Sequence, residues 1–210
     1  IDEFSKAESK QTVIRIKTQM ILSQILDLAA FSVEEQANSV PMTDCARIKV
    51  MVVGPYKSGK SCLIKNYCEG RFVKKYLPTI GIDYGVRTLE IQGTQVKINF
   101  FDASGAPEFQ AIRTEFYQET QALVYVVDLS SPEQLQDLQT FVEEAAPANV
   151  RFQYLVGTKS DMGVKIGDAE LKDAVKKIGG KDFKVSSVTG ENVEMCFMTI
   201  FKEVYQHYLK

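Results

Sequence analysis

Tryptophan is absent from the 210 residues, and histidine occurs once, as His207. A single histidine near the end of the last predicted helix gives no Ser-His or Cys-His nucleophile pair, and it reads as a helix-surface residue. The four cysteines, Cys45, Cys62, Cys68 and Cys196, form no CxxC pair. Zinc ribbons are therefore not expected, and the thiols read as free in a reducing cytoplasm. No apolar run approaches the roughly 20 residues that cross a bilayer. No signal peptide with a small-residue cleavage site is present. The end reads Gln206-His207-Tyr208-Leu209-Lys210, without a cysteine for prenylation, so no intrinsic membrane anchor is expected there. A net charge of −2 gives no general basic excess, and no stripe interleaves basic with aromatic residues. Nucleic acid is not an expected partner. What is present is 45% hydrophobic and 25% charged residues, enough for one α/β domain and a short extra segment.

Two parts are expected, residues 1–41 and 42–210. In the first, Ile14, Ile21, Ile25 and Leu28 recur at spacings of seven, four and three, beside a stripe of Leu22, Leu26, Ala29 and Val33. This is the broad apolar face of an amphipathic helix, ending before Pro41. Met42 has the position of a natural initiator, and Ile1-Asp2-Glu3-Phe4 that of a vector-derived leader. The leading expectation is that 1–41 was joined artificially, as a partner's helix. A native extension is the alternative. A membrane-surface helix is disfavoured, because Lys10, Arg15 and Lys17 make too weak a basic face.

From Arg47 the pattern alternates. Strands are expected at Ile48–Val53, Val86–Ile91, Val96–Asp102, Ala122–Asp128, Phe152–Gly157 and Phe183–Ser186. Helices are expected at Lys60–Glu69, Pro132–Ala145, Asp168–Ile178 and Asn192–Leu209. The continuous apolar strands are of the kind buried on both faces. The order βαββαβαβα implies an α/β fold with a mostly parallel, six-stranded sheet covered on both faces by helices.

The first strand runs into Gly54-Pro55-Tyr56-Lys57-Ser58-Gly59-Lys60-Ser61, which is G-x-x-x-x-G-K-S between a strand and a helix. Glycines let successive N–H groups of Tyr56 to Cys62 converge on phosphate oxygens, and the helix N-terminus adds its dipole. Lys60 supplies a point charge for the phosphates. Ser61 offers a hydroxyl to Mg²⁺, a hard cation that takes oxygen ligands. The motif alone implies a nucleoside triphosphate.

Thr158-Lys159-Ser160-Asp161 follows the strand Phe152–Gly157 and narrows the base to guanine. Guanine presents N1–H and the N2 amine side by side, and one carboxylate, Asp161, can accept from both; adenine offers no such pair. The Lys159 stem can lie along the base. Ser186-Ser187-Val188 can meet the guanine carbonyl through main-chain N–H groups. Asp102-Ala103-Ser104-Gly105 fits D-x-x-G, with Asp102 on Mg²⁺ through water and the Gly105 N–H on the γ-phosphate. Pro78-Thr79-Ile80-Gly81 fits a first switch in which Thr79 binds Mg²⁺ only beside a triphosphate. Phe72 reads equally as a ring edge-on to guanine or as core.

On these motifs the chain from residue 46 resembles a Ras-superfamily small GTPase of the Rab-like kind. Lys65–Tyr76, Thr79–Val86, Glu115-Phe116-Tyr117 and Thr120-Gln121 are most similar to the RJL branch, the J-domain-associated Rab-like proteins. The resemblance implies GTP, GDP and Mg²⁺ as ligands and a partner bound in the triphosphate state. It implies an absent or unusual lipid anchor and a cytoplasmic chain with ciliary, flagellar or nuclear association. Tyr84, Phe101 and Phe116 stand where Rab proteins carry an effector-facing aromatic triad; ordinary core packing is the other reading. An effector or regulator would use this switch surface, or an amphipathic helix like that of 1–41.

Thr158 stands where the family usually has Asn, and Val188 makes the third member of the last loop apolar; two further departures matter more. The family usually places Gln directly after D-x-x-G to orient the attacking water. Here Ala106-Pro107 follows. Tyr56 stands where a small residue usually faces the γ-phosphate and would crowd an incoming arginine. Slow GTP hydrolysis is the expectation, with no catalytic residue assigned. A non-hydrolysing, GTP-bound interaction module is the alternative.

Overall fold

The computed structural model describes residues 45–209. The chain divides into two units, Ile1–Asp44 and Cys45–Lys210. The helix expected in 1–41 lies outside the described residues.

Six strands form one sheet: β1 (Ala46–Val53), β2 (Ile82–Ile91), β3 (Thr94–Ala103), β4 (Ala122–Asp128), β5 (Phe152–Thr158) and β6 (Lys181–Lys184). Their spatial order is β2-β3-β1-β4-β5-β6. Only β2 runs antiparallel, against β3. Among the described residues, five α-helices accompany them: α1 (Lys60–Glu69), α2 (Gln110–Phe116), α3 (Gln134–Ala145), α4 (Asp168–Ile178) and α5 (Val193–Tyr208). All seven residues of β4 are buried, as an apolar run covered on both faces should be. Alternation along β1 sends Ile48, Val50 and Val52 into a core shared with Leu63 and Tyr67 of α1 and Phe197 and Phe201 of α5. Phe197 and Phe201 stack at 5.7 Å, and Tyr67 meets Phe197 at 4.6 Å. Met51 and Val53 face the other way and are equally buried.

Three elements differ from expectation. The last strand is Lys181–Lys184, not Phe183–Ser186. The chain leaves the edge there because Ser186 turns its hydroxyl to Asp161 at 2.6 Å. The strand β2 starts at Ile82, four residues before the apolar run beginning at Val86, and pairs along its whole length with β3. The helix α2, preceded by a 3₁₀ turn at Pro107–Phe109, has no counterpart in the pattern. Its most buried member is Arg113, so apolar periodicity does not mark it.

The reversal of strand order lies between β1, whose following helix crosses one way, and β4. Loops after β1, β3, β5 and β6 therefore gather at the carboxyl ends of the strands, where open α/β sheets bind ligands.

Candidate nucleotide and magnesium site

A cavity of about 340 Å³ opens at that edge. Its wall includes Tyr56 to Cys62, Phe72, Tyr76, Thr79, Gly105, Thr158, Lys159, Asp161, Ser187 and Val188. Of the residues singled out from the sequence, Asp102 and Ser186 are set behind this wall, buried.

The loop Gly54–Gly59 curls around the ammonium of Lys60, which donates to the Gly54 carbonyl at 2.8 Å and the Pro55 carbonyl at 2.9 Å. Gly54 is at φ 142, and an added Cβ would lie 2.2 Å from the Val126 carbonyl oxygen. Only glycine lets the loop pass this close to β4. Gly105 is equally constrained: a Cβ there would meet the Tyr56 nitrogen at 2.6 Å and the Gly54 oxygen at 2.7 Å. The Gly105 backbone and the Gly54–Gly59 loop are thus in direct contact. Lys57 is held at φ 61, a left-handed conformation that costs a side-chain-bearing residue about 1–2 kcal/mol. Its ammonium lies 5.5 Å from the Tyr56 ring centre and 5.8 Å from that of Tyr76, and these rings meet edge to face at 5.3 Å.

Burial pushes the Lys60 ammonium down to about 8, with Asp102 opposing. Burial likewise pushes the Asp102 carboxyl up to about 6, with Lys60 and the Ser61 hydroxyl opposing. Asp102 Oδ1 is buried without a hydrogen-bond partner. The Ser61 and Thr79 hydroxyls stand 3.0 Å apart. One carboxylate with an unused oxygen and two adjacent hydroxyls make an all-oxygen donor set. This fits Mg²⁺, which completes its octahedron with phosphate and water. Among the described residues no three His, Cys, Asp or Glu cluster as metal ligands. Both ionisable groups are strained by burial in a way that bound metal and phosphate would relieve.

A pH dependence follows. A metal held by Asp102 would require its ionised carboxylate, whose fraction falls tenfold per pH unit below about 6. Titration of a fluorescent GDP analogue with Mg²⁺ should show binding at pH 5 about tenfold weaker than at pH 7. An unchanged constant would remove Asp102 from the metal.

The other side of the cavity is built by the end of β5 and the loop after β6. Thr158 is 1% exposed, and its hydroxyl lies within hydrogen-bond reach of the Ser58 and Val127 carbonyls, joining this loop to the phosphate loop. Lys159, at φ 58, sends its ammonium to the Lys57 carbonyl at 3.0 Å and the Asp128 carboxylate at 2.5 Å. Burial raises the Asp128 carboxyl, but hydrogen bonds from Lys159 and Ser130 outweigh it and hold it below its ordinary value. Ser186 Oγ donates to Asp161 and accepts from the Val188 and Thr189 N–H groups, each at 3.2 Å. Phe72 is exposed on the cavity wall, outside the core cluster.

Tyr84, Phe101 and Phe116 form a row, with ring centres 5.4 and 5.6 Å apart. Phe101 is nearly buried, while Tyr84 and Phe116 are half-exposed. Lys49 lies over Phe101 at 5.1 Å, and burial lowers its ammonium from the ordinary lysine value. Sequence reasoning misses three residues that the geometry brings in: Asp128, Arg113 and Glu144. Asp128 was visible only as the end of a strand. The Arg113–Glu144 pair spans 31 residues and carries no local signal.

A model of the Ras family matches residues 49–206. The chain belongs to the Ras family. It is 35% identical over 168 residues to the DnaJ homolog subfamily C member 27 of Bos taurus, covering 75% of this chain and 61% of that protein. The Homo sapiens protein of that name is 36% identical over 165 residues, covering 74% and 60%. A 98-residue stretch is 47% identical to DnaJ homolog subfamily C member 27-B of Xenopus laevis, covering 47% and 36%. These are proteins of the RJL branch that the motifs resemble. The chain spans about three fifths of the length of the first two of these relatives. Ras-family GTPases in general bind GTP or GDP with Mg²⁺ and hydrolyse GTP, and the P-loop, base loop and all-oxygen metal set of this Ras-family domain are compatible with that chemistry.

Proposed function

We propose that this Ras-family domain binds guanine nucleotide with Mg²⁺ and acts as a switch that hydrolyses GTP slowly and engages a protein partner in the triphosphate state. The observation that carries the reading is the meeting of a buried lysine, a buried carboxylate with an unused oxygen and a serine-braced Asp161 around one cavity. In this reading the N–H groups of the phosphate loop cradle the phosphates, and Lys60 neutralises them. Ser61, Thr79 and Asp102 hold Mg²⁺, directly or through water. The metal would supply charge neutralisation at the β- and γ-phosphates. Asp161 reads guanine N1–H and N2, the Lys159 stem lies along the base with Phe72 at its edge, and N–H groups of Ser187 and Val188 meet its carbonyl. The Tyr84, Phe101 and Phe116 row, beside the first switch and the second switch that follows Asp102 (Ser104–Phe109), is the surface offered to the partner.

A second reading, a GTP-held interaction module, draws on Ala106, whose methyl group cannot orient water, and on Tyr56 at the cavity mouth. One experiment separates the two. The purified chain is denatured and its released nucleotide identified by chromatography; single-turnover hydrolysis is then followed on protein reloaded with GTP. Measurable but slow hydrolysis, below the rate of unassisted small GTPases, supports the switch. Retained GTP with none supports the module. Release of adenine nucleotide, or of none, would sink both.

A further inference from the structure

The segment Ser104–Phe109 that follows Asp102 is tied down from beneath. Arg113 of α2 is 1% exposed. Its Nη1 donates to the Ser104 carbonyl at 2.9 Å and the Ala106 carbonyl at 2.8 Å. Its Nε and Nη2 donate to the two carboxylate oxygens of Glu144 on α3 at 2.9 and 2.7 Å. The Tyr117 hydroxyl donates to the same carboxylate at 3.3 Å, and the Phe141 ring centre lies 4.9 Å from the guanidinium carbon. Pro107 opens a 3₁₀ turn whose last member, Phe109, is buried. The segment before Thr79 contrasts with this: Arg71–Pro78 forms neither helix nor strand, and every residue of it but Val73 is exposed.

We propose that Arg113, paired with Glu144, holds the second switch in one conformation with either nucleotide bound, so that the γ-phosphate is signalled through the first switch. This inference rests on the guanine-nucleotide reading above. Removing the γ-phosphate costs the second switch one hydrogen bond, at the Gly105 N–H. Releasing the switch from its tether strips two carbonyls from a guanidinium that is 1% exposed. Breaking such buried charge-assisted contacts disfavours the released form by roughly a hundredfold or more. The tether therefore outweighs the phosphate contact. Pro107 restricts the segment further, since its φ is fixed in every conformation. Arg113 is thus a positioning residue: it touches neither phosphate nor base, and acts through the backbone that carries Gly105.

Amide hydrogen exchange followed by mass spectrometry tests this on the whole chain, loaded with Mg²⁺ and either GDP or a non-hydrolysable GTP analogue. Peptides within residues 72–80 should exchange at least about tenfold more slowly in the triphosphate form. Peptides within 103–112 should differ less than about twofold between the two forms. In Glu144→Gln, which keeps shape and removes the charge, 103–112 should exchange about tenfold faster than in the parent with GDP, and the contrast between nucleotides should appear. Faster exchange of 103–112 in the GDP form of the parent chain, by about tenfold, overturns the inference while leaving the nucleotide reading intact. So does a parent chain in which 72–80 fails to respond to nucleotide. Failure to retain either nucleotide overturns both. The parent comparison needs no variant to fold.

Discussion

Replacing Asp161 with asparagine is expected to weaken GDP binding by about a hundredfold or more and to shift preference toward xanthine nucleotides. The carboxylate offers two acceptors to the adjacent donors N1–H and N2–H of guanine. An amide keeps one acceptor and presents an N–H₂ against the other donor. Hydrogen bonds to a charged group contribute about 1.5–3 kcal/mol each, and an opposed donor pair adds a desolvation cost. About 3 kcal/mol already corresponds to roughly a hundredfold. Xanthine carries a carbonyl in place of the N2 amine, so the amide pairs with it in full. Competition of GDP and XDP against a fluorescent GDP analogue measures both effects. Equal losses for the two bases would mean that Asp161 supports the loop and does not read the ring. Ser186→Ala is the companion change. Ser186 Oγ holds the Asp161 carboxylate at 2.6 Å and two backbone N–H groups of its own loop. Removing it leaves the reading group in place but less well oriented, and about a tenfold loss is expected without any change in base preference.

The contrast between these two residues also marks what the sequence could convey. Lys60, Asp102, Asp161 and Thr79 each belong to a short motif, because in the proposed site phosphate, metal and base are met by particular groups at fixed places in the chain. Strands β1 and β4 and helices α1 and α4 were legible for a related reason: burial on one or both faces leaves a continuous or periodic apolar record. The helix α2 left none, because the residue it buries is Arg113, a charge satisfied by Glu144 and two carbonyls from elsewhere in the chain. The strand β6 was displaced for the opposite reason. Val185 is fully buried and continues the apolar pattern, yet Ser186 and Ser187 serve the base loop and not the sheet. Long-range polar pairing, which has no sequence period, accounts for both differences. Phe72 was ambiguous because a ring on a cavity wall and a ring in a core have the same composition; only its exposure separates them.

Ala106→Gln should raise single-turnover GTP hydrolysis by roughly tenfold or more, within the span that positioned proton-handling and water-orienting groups contribute. The backbone is already prepared for it. Arg113 fixes the Ala106 carbonyl at 2.8 Å, and the Gly105 backbone lies against the Gly54–Gly59 loop, so a side chain at 106 departs from a defined point beside the place proposed for the γ-phosphate. Alanine puts one methyl group there, and Pro107 keeps the following turn from rearranging to bring in another polar group. Tyr56 decides how much of the gain is realised. Tyr56 is 44% exposed at the cavity mouth, and its ring rests on Tyr76, two residues before Pro78 of the first switch. In the proposed site a glutamine amide at 106 would compete with that ring for the space at the mouth. Tyr56→Gly alone should therefore change the rate less than threefold, since no group waits to orient water. Combined with Ala106→Gln it should exceed the product of the two single effects, the non-additivity expected of residues that share one pocket. If Ala106→Gln binds GTP as the parent does and hydrolyses it no faster, the slow step lies elsewhere. The contact of Tyr56 and Tyr76 across the mouth, under the ammonium of Lys57, then becomes the element to loosen, with nucleotide release as the rate to follow.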